Sequence, residues 1–151
     1  MKLKTSLIDR ESTESPRDLP CADVLLIDDD PALIKALVSA LSRCGYAVMT
    51  ASTGRAGLDL LARTRFHLVI TDIFMPEIDG VELIMKYART KSAGRILAMT
   101  GDNGYHDATT ILKMAQILGC QKTLLKPFNL FDFLEAVYEL MQPRVAQHSV
   151  D

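Results

Sequence analysis

The stretch Val24-Leu25-Leu26-Ile27-Asp28-Asp29-Asp30 sets four consecutive apolar residues against three consecutive carboxylates. A half-buried strand would alternate apolar and polar residues, whereas an unbroken apolar run cut off by charge is the mark of a strand covered on both faces. Four further runs read as strands, at 47–51, 67–71, 95–99 and 123–125. Their ends are spaced 20 to 28 residues apart, too far for hairpins and right for a strand, a crossover helix and the next strand. Parallel pairing follows from that spacing.

The segments between the strands carry helical periodicity. Leu33, Leu37 and Leu41 mark the first, Ile111, Met114 and Leu118 the fourth, and Leu130, Leu134, Val137 and Met141 the last. Pro31 suits a first helical turn, Gly45 and Gly119 suit helix ends, and Pro143 closes the fifth helix. Five βα units are therefore expected, an α/β domain of the doubly wound kind.

The chain has 151 residues, which at ~150 residues per domain allows one domain. With 17 basic and 19 acidic residues the net charge is −2, and there is no sequence-wide positive field for nucleic acid or an anionic membrane. Residues 1–20 balance four basic against four acidic groups, with Pro16, Pro20 and several serines, and are expected to form a flexible arm. The domain is expected at 21–142 and a loose tail at 143–151. Cys21, Cys44 and Cys120 form no CxxC pair and are far in sequence from any histidine, so they are expected to be reduced, partly buried thiols of a cytoplasmic protein. Behind Lys2 and Lys4 only Leu7-Ile8 is apolar, too little for a secretory signal.

In an open parallel sheet, ligands bind at the carboxyl ends of the strands. The first strand ends in Asp28-Asp29-Asp30, the third in Asp72, the fourth in Thr100 and the fifth in Lys126-Pro127. Carboxylates ~4 Å apart repel by roughly 4 kcal/mol at an effective dielectric of 20. A hard divalent ion with oxygen ligands answers that repulsion, and Mg²⁺ suits because it accepts one or two carboxylates and leaves room for phosphate oxygens. Lys126 and the Thr100 hydroxyl are then placed to hold phosphoryl oxygens.

The run His67-Leu-Val-Ile-Thr-Asp72-Ile-Phe-Met-Pro-Glu-Ile-Asp-Gly80 resembles the phosphoacceptor region of the receiver domains of two-component response regulators. Asp28-Asp29, Thr100-Gly101 and Lys126-Pro127-Phe128 match the other signatures of that family, in order. The resemblance implies a flavodoxin-like sheet with strand order 2-1-3-4-5. It implies that Asp72 accepts a phosphoryl group from a phosphohistidine on a histidine kinase or phosphotransfer protein. Asp29 would be a direct Mg²⁺ ligand, Asp28 a ligand through water, and the Phe74 backbone carbonyl a third protein ligand beside Asp72, while Asp30 supports. Thr100 and Lys126 would close on the phosphoryl oxygens, and loop movement would carry the signal. The resemblance further implies a signalling switch, with at most slow self-dephosphorylation and no attached output domain, whose protein target docks on the face of the fourth and fifth helices.

Two positions depart from the family pattern. Thr123 stands where an aromatic residue commonly couples to the signature Thr, and Phe74 is bulky where smaller residues are frequent, so that it would shield an acyl phosphate while Asp102 would orient water. His67, His106 and His148 group with no acid at metal spacing, and Arg63, Arg65, Lys86, Arg89, Lys91 and Arg95 read as solvation. Competing readings are a receiver-like interaction module that is not phosphorylated, and a haloacid-dehalogenase-like phosphatase built on Asp28-x-Asp30. The second leaves Asp72 without a job and puts the Lys on the wrong side of the Gly-Asp element.

Overall fold

Val24, Leu25, Leu26 and Ile27 have no solvent exposure, because the strand that carries them lies second in the sheet and is covered from both sides. The computed structural model describes residues 21–75, 78–90, 94–101 and 107–143. Five strands, β1 (Cys21–Ile27), β2 (Val48–Ala51), β3 (Arg65–Asp72), β4 (Arg95–Thr100) and β5 (Lys122–Leu125), alternate with five helices, α1 (Pro31–Arg43), α2 (Gly54–Arg63), α3 (Gly80–Ala88), α4 (Ala108–Ile117) and α5 (Leu130–Met141). All the strands are parallel, in the order β2-β1-β3-β4-β5. The flavodoxin-like topology expected from the resemblance is the one observed. The arm at 1–20 and the tail beyond Pro143 lie outside the described residues.

Alternate strand residues face opposite layers. Leu25, Ile27, Val69, Ile96 and Ala98 pack with Leu83, Ile84 and Tyr87 of α3 and Ile111 and Ala115 of α4. Val24, Leu26, Leu68, Ile70, Leu97 and Met99 pack with Leu37 and Leu41 of α1 and Phe133, Ala136, Val137 and Leu140 of α5. Each large aliphatic side chain buried this way contributes roughly 1.5–3 kcal/mol.

Every helix starts with a side chain that accepts a hydrogen bond from its first turn: Asp30, Thr53, Asp79, Asp107 and Asn129. Pro31 follows its cap, and Gly45 and Gly119 take positive φ of 88° and 119° just past the ends of α1 and α4. Pro31, Gly45 and Gly119 stand where the sequence placed them; the capping side chains are a finding of the structure.

Two helical stripes differ from expectation. In α4, Ala115 is buried with Ile111 while Met114 is 48% exposed; the small side chain lets the helix lie close on the sheet, and the longer one turns outward. In α5 the sheet-facing residues are Phe133, Ala136, Val137 and Leu140. Leu130 is half-exposed, and Leu134 and Met141 are only partly buried, on the same side of the sheet as Ile34 and Val38 of α1. The cysteines differ too: Cys120 is buried, but Cys21 and Cys44 are exposed because each sits at the end of an element. Arg95 is more than solvation, since its guanidinium donates to the carbonyls of Leu140 and Gln142 at the end of α5.

Candidate functional site

The strand register fixes the site. Ile27 aligns with both Ala51 and Thr71, Asp72 with Met99, and Thr100 with Leu125, so Asp28, Asp72, Thr100 and Lys126 all emerge at one edge. That edge lies where the crossovers leave β1 in opposite directions, the crevice in which doubly wound sheets bind ligands.

Carboxylate oxygens of Asp28, Asp29 and Asp72 lie within 4.8 Å of one another. Asp28 is buried, Asp29 is exposed and Asp72 is 7% exposed. Asp28 Oδ1 accepts from the Asp30 amide at 2.9 Å, and Asp72 Oδ1 accepts from the Phe74 amide at 3.3 Å. The Lys126 ammonium reaches Asp28 Oδ2 at 2.8 Å and Asp72 Oδ2 at 3.3 Å. Sequence reasoning assigned the relief of carboxylate repulsion to a metal ion alone; Lys126 supplies part of it. No local signal announces that pairing, because the partners are 98 and 54 residues apart.

The electrostatics follow from the geometry. Burial pushes the Asp72 carboxyl above the usual carboxylate range; the Lys126 charge pulls it down and the Asp28 charge pushes it up again. Burial alone would lower the Lys126 ammonium, but the hydrogen bond to Asp28 and the charges of Asp72 and Asp28 together hold it above the usual lysine value. Three carboxylates against one ammonium leave the cluster net negative. An all-oxygen donor set of this kind, half open to solvent, fits a hard divalent cation.

Thr100 is buried at the end of β4, and its hydroxyl donates to the Gly101 carbonyl at 3.3 Å. The Lys126 amide donates to the Thr100 carbonyl at 2.7 Å, tying the β5 loop to β4. Asp30 is the cap of α1, accepting from Ala32 at 3.0 Å and Leu33 at 3.3 Å, which explains its presence without a metal role. Phe74 lends its backbone amide to Asp72. Phe74 also lines a cavity of about 530 Å³ together with Val81, Ile111 and Met114. Asp102 and His106 lie outside the described residues, as does His148.

Gly80 closes the loop that begins at Asp72. Its amide donates to the Ile73 carbonyl at 2.7 Å, and a Cβ there would stand 2.2 Å from the Asp72 carbonyl oxygen. Only glycine permits that approach. The Asp79-Gly80 pair, read in the sequence as a turn, thus fixes the acceptor loop and caps α3 as well.

The family model for the response regulator receiver domain matches residues 24–138. The chain is 31% identical over 121 residues to the transcriptional regulatory protein GlrR of Escherichia coli, covering 80% of this chain and 26% of that protein. It is 30% identical over 118 residues to the response regulator receiver protein CpdR of Brucella abortus, covering 78% of this chain and 95% of that one. The chain thus spans about a quarter of one relative and nearly all of another. Among solved structures, the CheY-like receiver domain protein of Methanospirillum hungatei superimposes with a TM-score of 0.70 at 28% identity, over 82% of this chain and 94% of that one. Fold, motif order and sequence similarity agree: the chain belongs to the response regulator receiver domain family of two-component signalling.

Proposed function

We propose that this receiver is a phosphoacceptor switch in which Asp72 takes a phosphoryl group from a phosphohistidine on a histidine kinase or phosphotransfer protein. The observation that carries the reading is the convergence of Asp28, Asp29, Asp72 and Lys126, from three strand ends, into one cluster. In the transfer an Asp72 carboxylate oxygen attacks phosphorus, the bond from phosphorus to the donor's imidazole nitrogen breaks, and that nitrogen regains its electron pair. Phosphoryl transfer asks mainly for positioning and for charge around the equatorial oxygens. Asp28, Asp29 and Asp72, with the Phe74 carbonyl, would hold Mg²⁺. Held there, Mg²⁺ would offset the repulsion between the acceptor carboxylates and the incoming phosphoryl charge. Lys126 already faces Asp72 and takes a phosphoryl oxygen as Asp72 becomes an acyl phosphate. The Thr100 hydroxyl leaves the Gly101 carbonyl for another.

Self-dephosphorylation is slow in this reading. Among the described residues the groups bonded to the Asp72 carboxylate are the Lys126 ammonium and the Phe74 amide, and neither is a base for water. The signal passes to a protein target on the α4–β5–α5 face, where Ile117 is 84% and Leu125 50% exposed. Thr123 puts no aromatic side chain where one commonly couples to the signature Thr, so in this reading movement of the Thr100 and Lys126 loops carries the change. The domain is taken as 21–142 and its compartment as the cytoplasm, where the kinase's phosphohistidine is presented; no helix among the described residues is long and apolar enough to cross a membrane.

Site mapping tests the assignment. After incubation with acetyl phosphate and Mg²⁺, borohydride reduction converts an acyl phosphate to homoserine, and peptide mass mapping should find it at position 72. Homoserine at another aspartate, or at none, would overturn the role given to Asp72.

A further inference from the structure

The opposite edge of the sheet holds a second pair of reactive side chains. Cys21 opens β1 and His67 lies in β3, 46 residues apart in sequence, yet Cys21 Sγ stands 3.4 Å from His67 Nε2. Both residues are exposed. The pairing register explains the meeting: Cys21 aligns with Arg65, so His67 is its diagonal neighbour on the same face. Arg65 is the residue paired with Cys21 across β1 and β3, and its buried Nε has no hydrogen-bond partner among the described residues. Tyr87 senses both neighbours: burial pushes its phenol up, the Gly94 amide and the Arg65 charge pull it down, and Cys21 pushes it up again. An exposed thiol with an imidazole nitrogen in contact is the setting in which a cysteine becomes a nucleophile. The other option for the thiol proton, the Ala22 carbonyl, is farther away at 3.7 Å.

We propose that Cys21, with His67 as its proton acceptor, is a thiol–disulfide exchange site for small disulfides. The Cys21 proton passes to His67 Nε2, Sγ attacks one sulfur of the disulfide, and the disulfide bond breaks. The departing thiolate takes the proton from His67. Cys21 is oxidised to a mixed disulfide as half of the small disulfide is reduced to a thiol, and no other reactant is needed. The site is separate from the Asp72 cluster and does not depend on the function proposed for it.

The protein carries its own controls. Cys44 is exposed and has no histidine in contact among the described residues, whereas Cys120 is buried and donates to the carbonyls of Ile96 and Lys122. The full chain is incubated with oxidised glutathione at pH 7, quenched in acid over a time course, and mapped by peptide mass. Cys21 should form its mixed disulfide about tenfold faster than Cys44, with Cys120 unmodified. In His67→Gln the Cys21 rate should fall to that of Cys44, while Cys44 keeps its own rate. Equal rates for Cys21 and Cys44 in the wild type, or an advantage of Cys21 that survives His67→Gln, would overturn the proposal. Should His67→Gln expose Cys120 by loosening the fold, the wild-type ratio still decides.

Discussion

Asp72 is a carboxylate that the fold makes uncomfortable. Its carboxyl is held above the usual range chiefly by burial, so its charged form is less favoured in the folded chain than in the unfolded one. Such a group weakens the fold as pH rises through its folded-state value, and is harmless below the ordinary carboxyl value. Asp72→Asn should therefore raise the melting temperature of the metal-free protein at pH 7, with the gain shrinking as pH falls into the carboxyl range. Thermal melts in a chelator across that interval check the sign, and a lower melting temperature at pH 7 would contradict it. Asp30 is the opposite case, a carboxylate employed by backbone amides. Asp30→Ala should cost about 1 kcal/mol of stability in urea unfolding and leave Mg²⁺ affinity unchanged, whereas Asp29→Ala should lower that affinity sharply. The acidic and basic site residues were legible because each terminates an apolar run, which is where a parallel sheet presents its ligands. Their pairing was not, since the contact between Lys126 and Asp28 depends on how far β5 runs relative to β1.

Strand ends were the most legible elements, for a physical reason. β1 is buried on both faces, so Ile27 followed by Asp28 marks its end directly; β5 ends at the same switch from apolar to charged, Leu125 followed by Lys126, although Leu125 is half-exposed. Strand beginnings were less so: β1 starts at Cys21 and β3 at Arg65, earlier than the apolar runs, because pairing of Cys21 with Arg65 and Ala22 with Phe66 needs backbone and no apolar side chain. In α4 and α5 periodicity gave the helices but not the buried face, since Met114 and Leu130 are as apolar as the residues that won. Cys21 and His67 are 46 residues apart in sequence, and only the register of β1 on β3 brings them together. At this scale Gly80, where α3 begins, packs tightly against the end of β3. Gly80→Ala would drive a Cβ to 2.2 Å from the Asp72 carbonyl oxygen, so the loop must shift. The variant should lose about 2 kcal/mol of stability or more and accept phosphoryl groups more slowly than the wild type. Unfolding in urea and a phosphorylation time course read the two effects separately.

The molecule as a whole is a sheet with two apolar layers, one toward α1 and α5 and the other toward α2, α3 and α4. Phe133 is fully buried in the first layer, stacked on Phe128 with ring centroids 5.7 Å apart. Phe133→Ala should cost about 3–5 kcal/mol, measured by urea unfolding, and should also weaken phosphorylation, because Phe128 lies two residues from Lys126 and helps hold its loop. The two layers keep five strand ends in register, and that register makes one cluster from residues spread between positions 28 and 126. Intact-mass spectrometry after incubation with acetyl phosphate and Mg²⁺, on the wild type, on Asp72→Asn and on the wild type with a chelator, tests that cluster most directly. A labile addition of about 80 Da on the wild type alone, lost with Asp72→Asn and with the chelator, is the predicted result. An equal addition on folded Asp72→Asn, or none on folded wild type with Mg²⁺ bound, would contradict the account.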